Sequence, residues 1–186
     1  MIDKQYINSV IKHLSSKNIE FKPGLSQTQI EAIQKQFEII FPPDLKFFLS
    51  YAVPVGKNFP DWYSIKSTEL LEIIRWPLKG ILFDIQHDQF WPEDWGVKPT
   101  LLDEALMVAK TEISKVPPLI PIYAHRFIPS EPSLEGNPIL SVYQTDIVYY
   151  GHDLPSYFSN EFGVPNPYVE AESYRVIRFW TDIIER

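Results

Sequence analysis

Pro42 and Pro43 constrain this chain more than any other pair of residues. In GLSQTQIEAIQKQFEIIFPPDLKFFLSY, residues 24–51, they stand between two apolar stripes. Proline restrains the residue before it and supplies no amide proton, so a helix running into Pro42 must stop. Pro43 suits the first position of a new helix, where an amide proton has no partner in any case. The first helix carries its own start signal: Ser26 can cap, Gln29 can reach back to complete a capping box, and Leu25 can staple onto Ile30. Ile30, Ile33 and Phe37 form its buried face, and Leu45, Phe48 and Leu49 that of the second, which runs through about Tyr51.

The same periodicity orders the rest. Tyr6, Val10 and Leu14, with Ile7 and Ile11 beside them, predict a helix over residues 3–15. STELLEIIRW reads as a short helix with Leu70, Leu71 and Ile74 inward, and GILFDI, after a glycine, as a buried strand. LLDEALMVAKTEIS predicts a helix with Leu102, Leu106 and Ala109 on one face. LIPIYAHRFIP, NPILSVYQ and DIVYYG are three β-branched and aromatic runs, separated by turn formers at Ser130-Glu131-Pro132, Gly136-Asn137-Pro138 and Thr145-Asp146. They read as adjacent antiparallel strands. DLPSYFSNEFG predicts a short helix ending at Gly163. SYRVIRFWTDIIE predicts a closing helix with Val176, Ile177, Trp180, Ile183 and Ile184 on its core face.

Helices, then strands, then helices, without βαβ alternation, place the chain in the α+β class: a mostly antiparallel sheet with helices packed against it. Its 186 residues, 45% of them apolar, suffice for one domain, residues 1–186, whose core spans about 20–186.

Composition narrows the function. With no cysteine, disulfides, thiolate metal sites and cysteine nucleophiles are excluded, which fits a cytoplasmic protein. MIDKQYINSVIKHL has no apolar h-region, and nowhere do about 18 apolar residues run together. Neither export nor membrane insertion is expected. A net charge of -7 argues against binding nucleic-acid backbone, which depends on clustered Lys and Arg.

No catalytic, cofactor or metal motif emerges. There is no GxGxxG or Walker pattern, no HExxH among the four histidines, and no GxSxG around Ser141 or Ser156. The adjacent acids Glu93-Asp94 lack the separation that paired-carboxylate glycoside chemistry needs.

Gly24-Leu25, the capped helix to Phe37, Phe41-Pro42-Pro43-Asp44 and Phe48-Leu49 together resemble the opening signature of the SUKH superfamily, which includes cell-wall-synthesis regulators of Smi/Knr type and many bacterial proteins. IPIYAHRFIP, NPILSVYQTDIVYYGHD and SYRVIRFWTDII, with Phe179 and Trp180, are similar to its later strands and closing helix. Where many members carry an Asn-Gly turn, this chain reads AVPVGKNFPDW. The resemblance implies helices against a mostly antiparallel sheet, no defining catalytic residue and, for bacterial members, frequent service as immunity proteins that neutralise a nuclease or deaminase toxin. A regulatory scaffold for cell-wall synthesis is the alternative it leaves open, and a hydrolase or a small-ligand or sugar binder a third.

QHDQFWPEDW, residues 86–95, is the most distinctive stretch. Between Asp84 and Glu104 six acids face Lys98 alone. Trp91 and Trp95 can anchor a loop in the core, provide hot spots for a protein partner, or serve as a sugar platform. In the docking reading, acids steer a basic toxin domain onto the rings. NFPDWY, residues 58–63, has the same character, so the expected patch comprises Asp61, Trp62, Asp88, Trp91, Glu93, Asp94 and Trp95.

Overall fold

The computed structural model describes residues 2–87 and 90–186. Among them are seven α-helices and two antiparallel sheets, one of two strands and one of four. Helix α1, Lys4–Ser15, is capped by Asp3, which accepts from the Tyr6 amide at 2.7 Å. Strand β1, Glu20–Pro23, follows and later pairs with β2, Ala52–Val55.

Between these strands lies the helix pair that the prolines dictate. In α2, Gln27–Phe37, Ser26 and Gln29 form the expected reciprocal capping box. Pro43 opens α3, Pro43–Tyr51. Gly24 has a steric cause: a Cβ there would lie 2.0 Å from the carbonyl oxygen of Ser50, at the end of α3. Leu25 N–H, donating to Leu49 O at 2.9 Å, locks the same approach. The β1–β2 ribbon thereby closes the α2–α3 hairpin; its short strands carry too little alternation to announce themselves in the sequence.

The next segment differs from expectation. STELLEIIRW and GILFDI are one helix, α4, Thr68–His87, with Pro77 inside it. Glycine and proline there suggest a break, yet Leu70, Ile74, Pro77, Ile81 and Ile85 keep three- and four-residue spacing straight through. Burial of that continuous stripe overrides the local cost of the proline. Helix α5, Leu102–Ile113, packs beside α4. It is rotated from the expected face: Ala105 and Ala109 are buried, Leu106 is half-buried and Leu102 is exposed. Alanines let the two helices approach closely.

The main sheet has the order β3-β4-β5-β6, from β3, Leu119–Tyr123, β4, Arg126–Pro129, β5, Ile139–Tyr143, and β6, Asp146–Gly151. LIPIYAHRFIP is therefore a hairpin rather than one strand, turning at Ala124-His125 with Ala124 at φ 47°. Helix α6, Leu154–Phe162, ends at Gly163 as expected. The tail does not: only Trp180–Ile184 is helical, as α7, and Val176 is 70% exposed. Arg175 donates to Asn137 Oδ1 at 2.6 Å and to Glu135 O at 2.8 Å, which holds the preceding segment out of a helix.

Two apolar clusters flank the four-stranded sheet. Residues of α1, α2, α3 and α6 pack with Ile120, Ile128 and Ile139. Ile81 and Ile85 of α4, the alanines of α5 and Trp180 of α7 pack with Leu119, Phe127, Leu140 and Val142. Neighbouring residues such as Phe127 and Ile128 enter different clusters, the strand alternation of a sheet covered on both sides.

Candidate functional site

The aromatic-acidic segment reaches the second cluster. Glu93–Trp95 form a single 3-10 turn, Trp95 N–H donating to Pro92 O at 3.1 Å. The turn sets Trp91 and Trp95 edge to face, ring centroids 5.3 Å apart and planes at 88°. Trp95 lies parallel to Phe179 at 5.7 Å, and Trp91 Nε1–H donates to Gly96 O at 2.8 Å. Both indoles are half-buried, while Glu93 and Asp94 are exposed.

Lys98, the one cation in this acidic interval, has two tasks. Its Nζ donates to Ile85 O at 3.2 Å near the end of α4 and lies 5.9 Å from the centre of the Trp91 ring. Beside the turn a cleft of about 230 Å³ is lined by Asp94, Trp95, Arg178, Phe179, Asp182 and Arg186, among others. Its charged groups carry both signs, as suits a polar rim around half-buried rings.

The structure does not bring the whole expected patch together. Trp62 is 3% exposed and packs edge to face on Phe41 at 5.3 Å, in the first cluster, whereas Trp91 and Trp95 pack against the second. A ring so enclosed is a core anchor. Asp61 closes its own turn, accepting from Tyr63 N–H at 3.1 Å and Ser64 Oγ–H at 2.7 Å. Asp88 lies outside the described residues. Trp91, Glu93, Asp94 and Trp95 remain as one surface feature.

The histidines are dispersed. His13 Nε2 lies 3.0 Å from Phe162 O, and His152 stacks on Tyr174 at 3.8 Å, Tyr174 stacking in turn on Tyr149 at 3.9 Å. His125 is held below its ordinary pKa by burial and by neighbouring Arg126. Among the described residues no group of three or more His, Asp or Glu could hold a metal ion, and no helix is long and apolar enough to cross a membrane.

Two exposed rings escaped the sequence reading: Trp76 on α4 and Tyr143 at the end of β5, with centroids 6.2 Å apart. Trp76 stood at the end of a helix expected to stop there, so its outward position along a longer helix was not visible. No protein-family model matches the chain, and no curated protein or solved structure does so either.

Proposed function

We propose that this chain is a non-enzymatic protein-interaction domain of SUKH type, acting as an immunity protein that binds and neutralises a basic toxin domain of nuclease or deaminase class. The observation that carries the proposal is the Trp91–Trp95 ring pair, half-buried on a turn whose acids Glu93 and Asp94 point to solvent. Rings fixed by a core contact lose little freedom on docking, which is what an interface anchor requires. The acids and the net charge of -7 favour encounter with a cationic partner. The α+β class is also the one the SUKH resemblance implies.

The test is co-expression with the toxin domain encoded nearest to this chain, scoring host survival, followed by calorimetry at low and high salt. Rescue with salt-sensitive binding is expected, as is a weakening of about tenfold or more when Glu93 and Asp94 are both changed to Lys. Absence of rescue and of binding would sink the immunity assignment and leave the cell-wall scaffold as the better account.

A further inference from the structure

A cleft of about 400 Å³ lies away from the Trp91–Trp95 turn and has a different chemistry. Trp76 and Tyr143 line it, 44% and 58% exposed, with Phe127 and the polar residues Lys57, Asn58 and His125. Exposed rings are ordinarily free to turn, but Trp76 is fixed: its Nε1–H donates to Val142 O at 3.2 Å, next to Tyr143. The indole thus has its one polar need met by the sheet while its apolar surface remains open.

Asn58 is equally fixed. Asn58 O accepts from Ala124 N–H at 2.7 Å, and Asn58 Nδ2 donates to Tyr123 Oη at 3.1 Å. These bonds tie the 57–58 loop to the β3–β4 turn and set Lys57 and Asn58 at the cleft. Lys57 is in no ion pair among the described residues, and the lining contains no carboxylate. Glu161, the acid that acts on His125, is engaged by Arg126 at 3.1 Å. In a chain of net charge -7, the cleft is therefore a local exception, with one available cation and aromatic walls.

We propose that this cleft binds a small planar aromatic acid, its ring against Trp76 and Tyr143 and its anionic group held by Lys57 and Asn58. The volume fits one bicyclic ring system and its side group, near the low end of small-molecule sites. The assignment is independent of the docking proposal, since it uses none of the same residues.

The experiment is an NMR titration of the whole chain with indole-3-acetate, neutral indole and cationic tryptamine. Indole-3-acetate should bind about tenfold more tightly than indole, with tryptamine weakest, as expected of a charge-assisted hydrogen bond. Lys57→Met should erase the preference for the acid while leaving indole binding, and Tyr143→Ala should weaken all three. Both side chains are exposed, so each variant keeps the fold. Equal affinity for the three probes, no binding of any, or binding indifferent to both substitutions would overturn the proposal.

Discussion

The Cα of Gln144 lies 2.7 Å from where a Cβ on Gly80 would stand. The tip of the β5–β6 turn thus rests directly on the backbone of α4, with Gln144 itself at φ 57°. In an exposed helix interior, glycine to alanine stabilises by about 1 kcal/mol. Here the sign should reverse: Gly80→Ala must displace backbone and is expected to cost about 1–3 kcal/mol, the range for overpacked sites. Urea denaturation measures it, and a gain in stability would show that the turn yields freely.

Arg126 joins β4, β5 and α6. Its Nε donates to Glu161 at 3.1 Å and Nη1 to Ser141 Oγ at 2.9 Å, and its guanidinium lies 3.7 Å from the centre of the Tyr150 ring. The side chains of Arg126 and Glu161 are only 13% and 18% exposed, so the pair is poorly screened. Arg126→Met should destabilise by about 2–4 kcal/mol, because it strands the carboxylate in a largely dry site. Adding Glu161→Gln should recover part of that loss in a double-mutant cycle; simple additivity would mean that the two groups are uncoupled.

Tyr157 is wholly buried, and its hydroxyl has no hydrogen-bond partner among the described residues. Burial also pushes the phenol well above its ordinary pKa, so it stays neutral. Tyr157→Phe removes a dehydrated polar group and little else. Thermal unfolding should show unchanged stability or a gain of about 1–2 kcal/mol. A clear loss would reveal a contact made by that oxygen.

Asp44 couples the Pro-Pro junction to pH. Its carboxylate accepts from Leu45 N–H at 2.9 Å and Gly136 N–H at 3.0 Å, but burial outweighs these donors and raises its pKa above the ordinary 3.8. The folded chain therefore holds this proton more firmly than the unfolded one. The associated stability is fully present below 3.8 and is lost as pH rises through the folded value. Asp44→Asn loses an acceptor at every pH, so the slope is the readout. Relative to the parent, the variant should gain stability as pH rises above about 4, and a flat difference would contradict the raised pKa.

Legibility in the sequence followed the locality of the cause. Ser26, Gln29, Pro43 and Gly163 act within one turn, and their helix starts and stops stand where local chemistry puts them. Pro77 and Gly80 mislead because their cause is distant. The glycine answers to Gln144, 64 positions away, and the proline is outweighed by a stripe whose start buries in the first apolar cluster, at Leu70, and whose end buries in the second, at Ile81 and Ile85. Likewise Trp62 and Trp91 share a composition of neighbours but not a destination, since local aromatic and acidic content does not say which side of a sheet a ring will enter. The Arg175 tether that keeps the 173–179 segment out of α7 joins residues 38 apart and has no local signature.

The four-stranded sheet is a partition between two interiors rather than the floor of one. Trp91 and Trp95 pack against the second interior, whereas the apolar faces of the α2–α3 hairpin pack in the first. Among the described helices only α4 buries residues in both, Leu70 in the first and Ile81 and Ile85 in the second, so substitutions at the Trp91–Trp95 turn should leave the α2–α3 packing intact. A lineage built on this plan could change the residues around that turn repeatedly without re-solving how the chain folds.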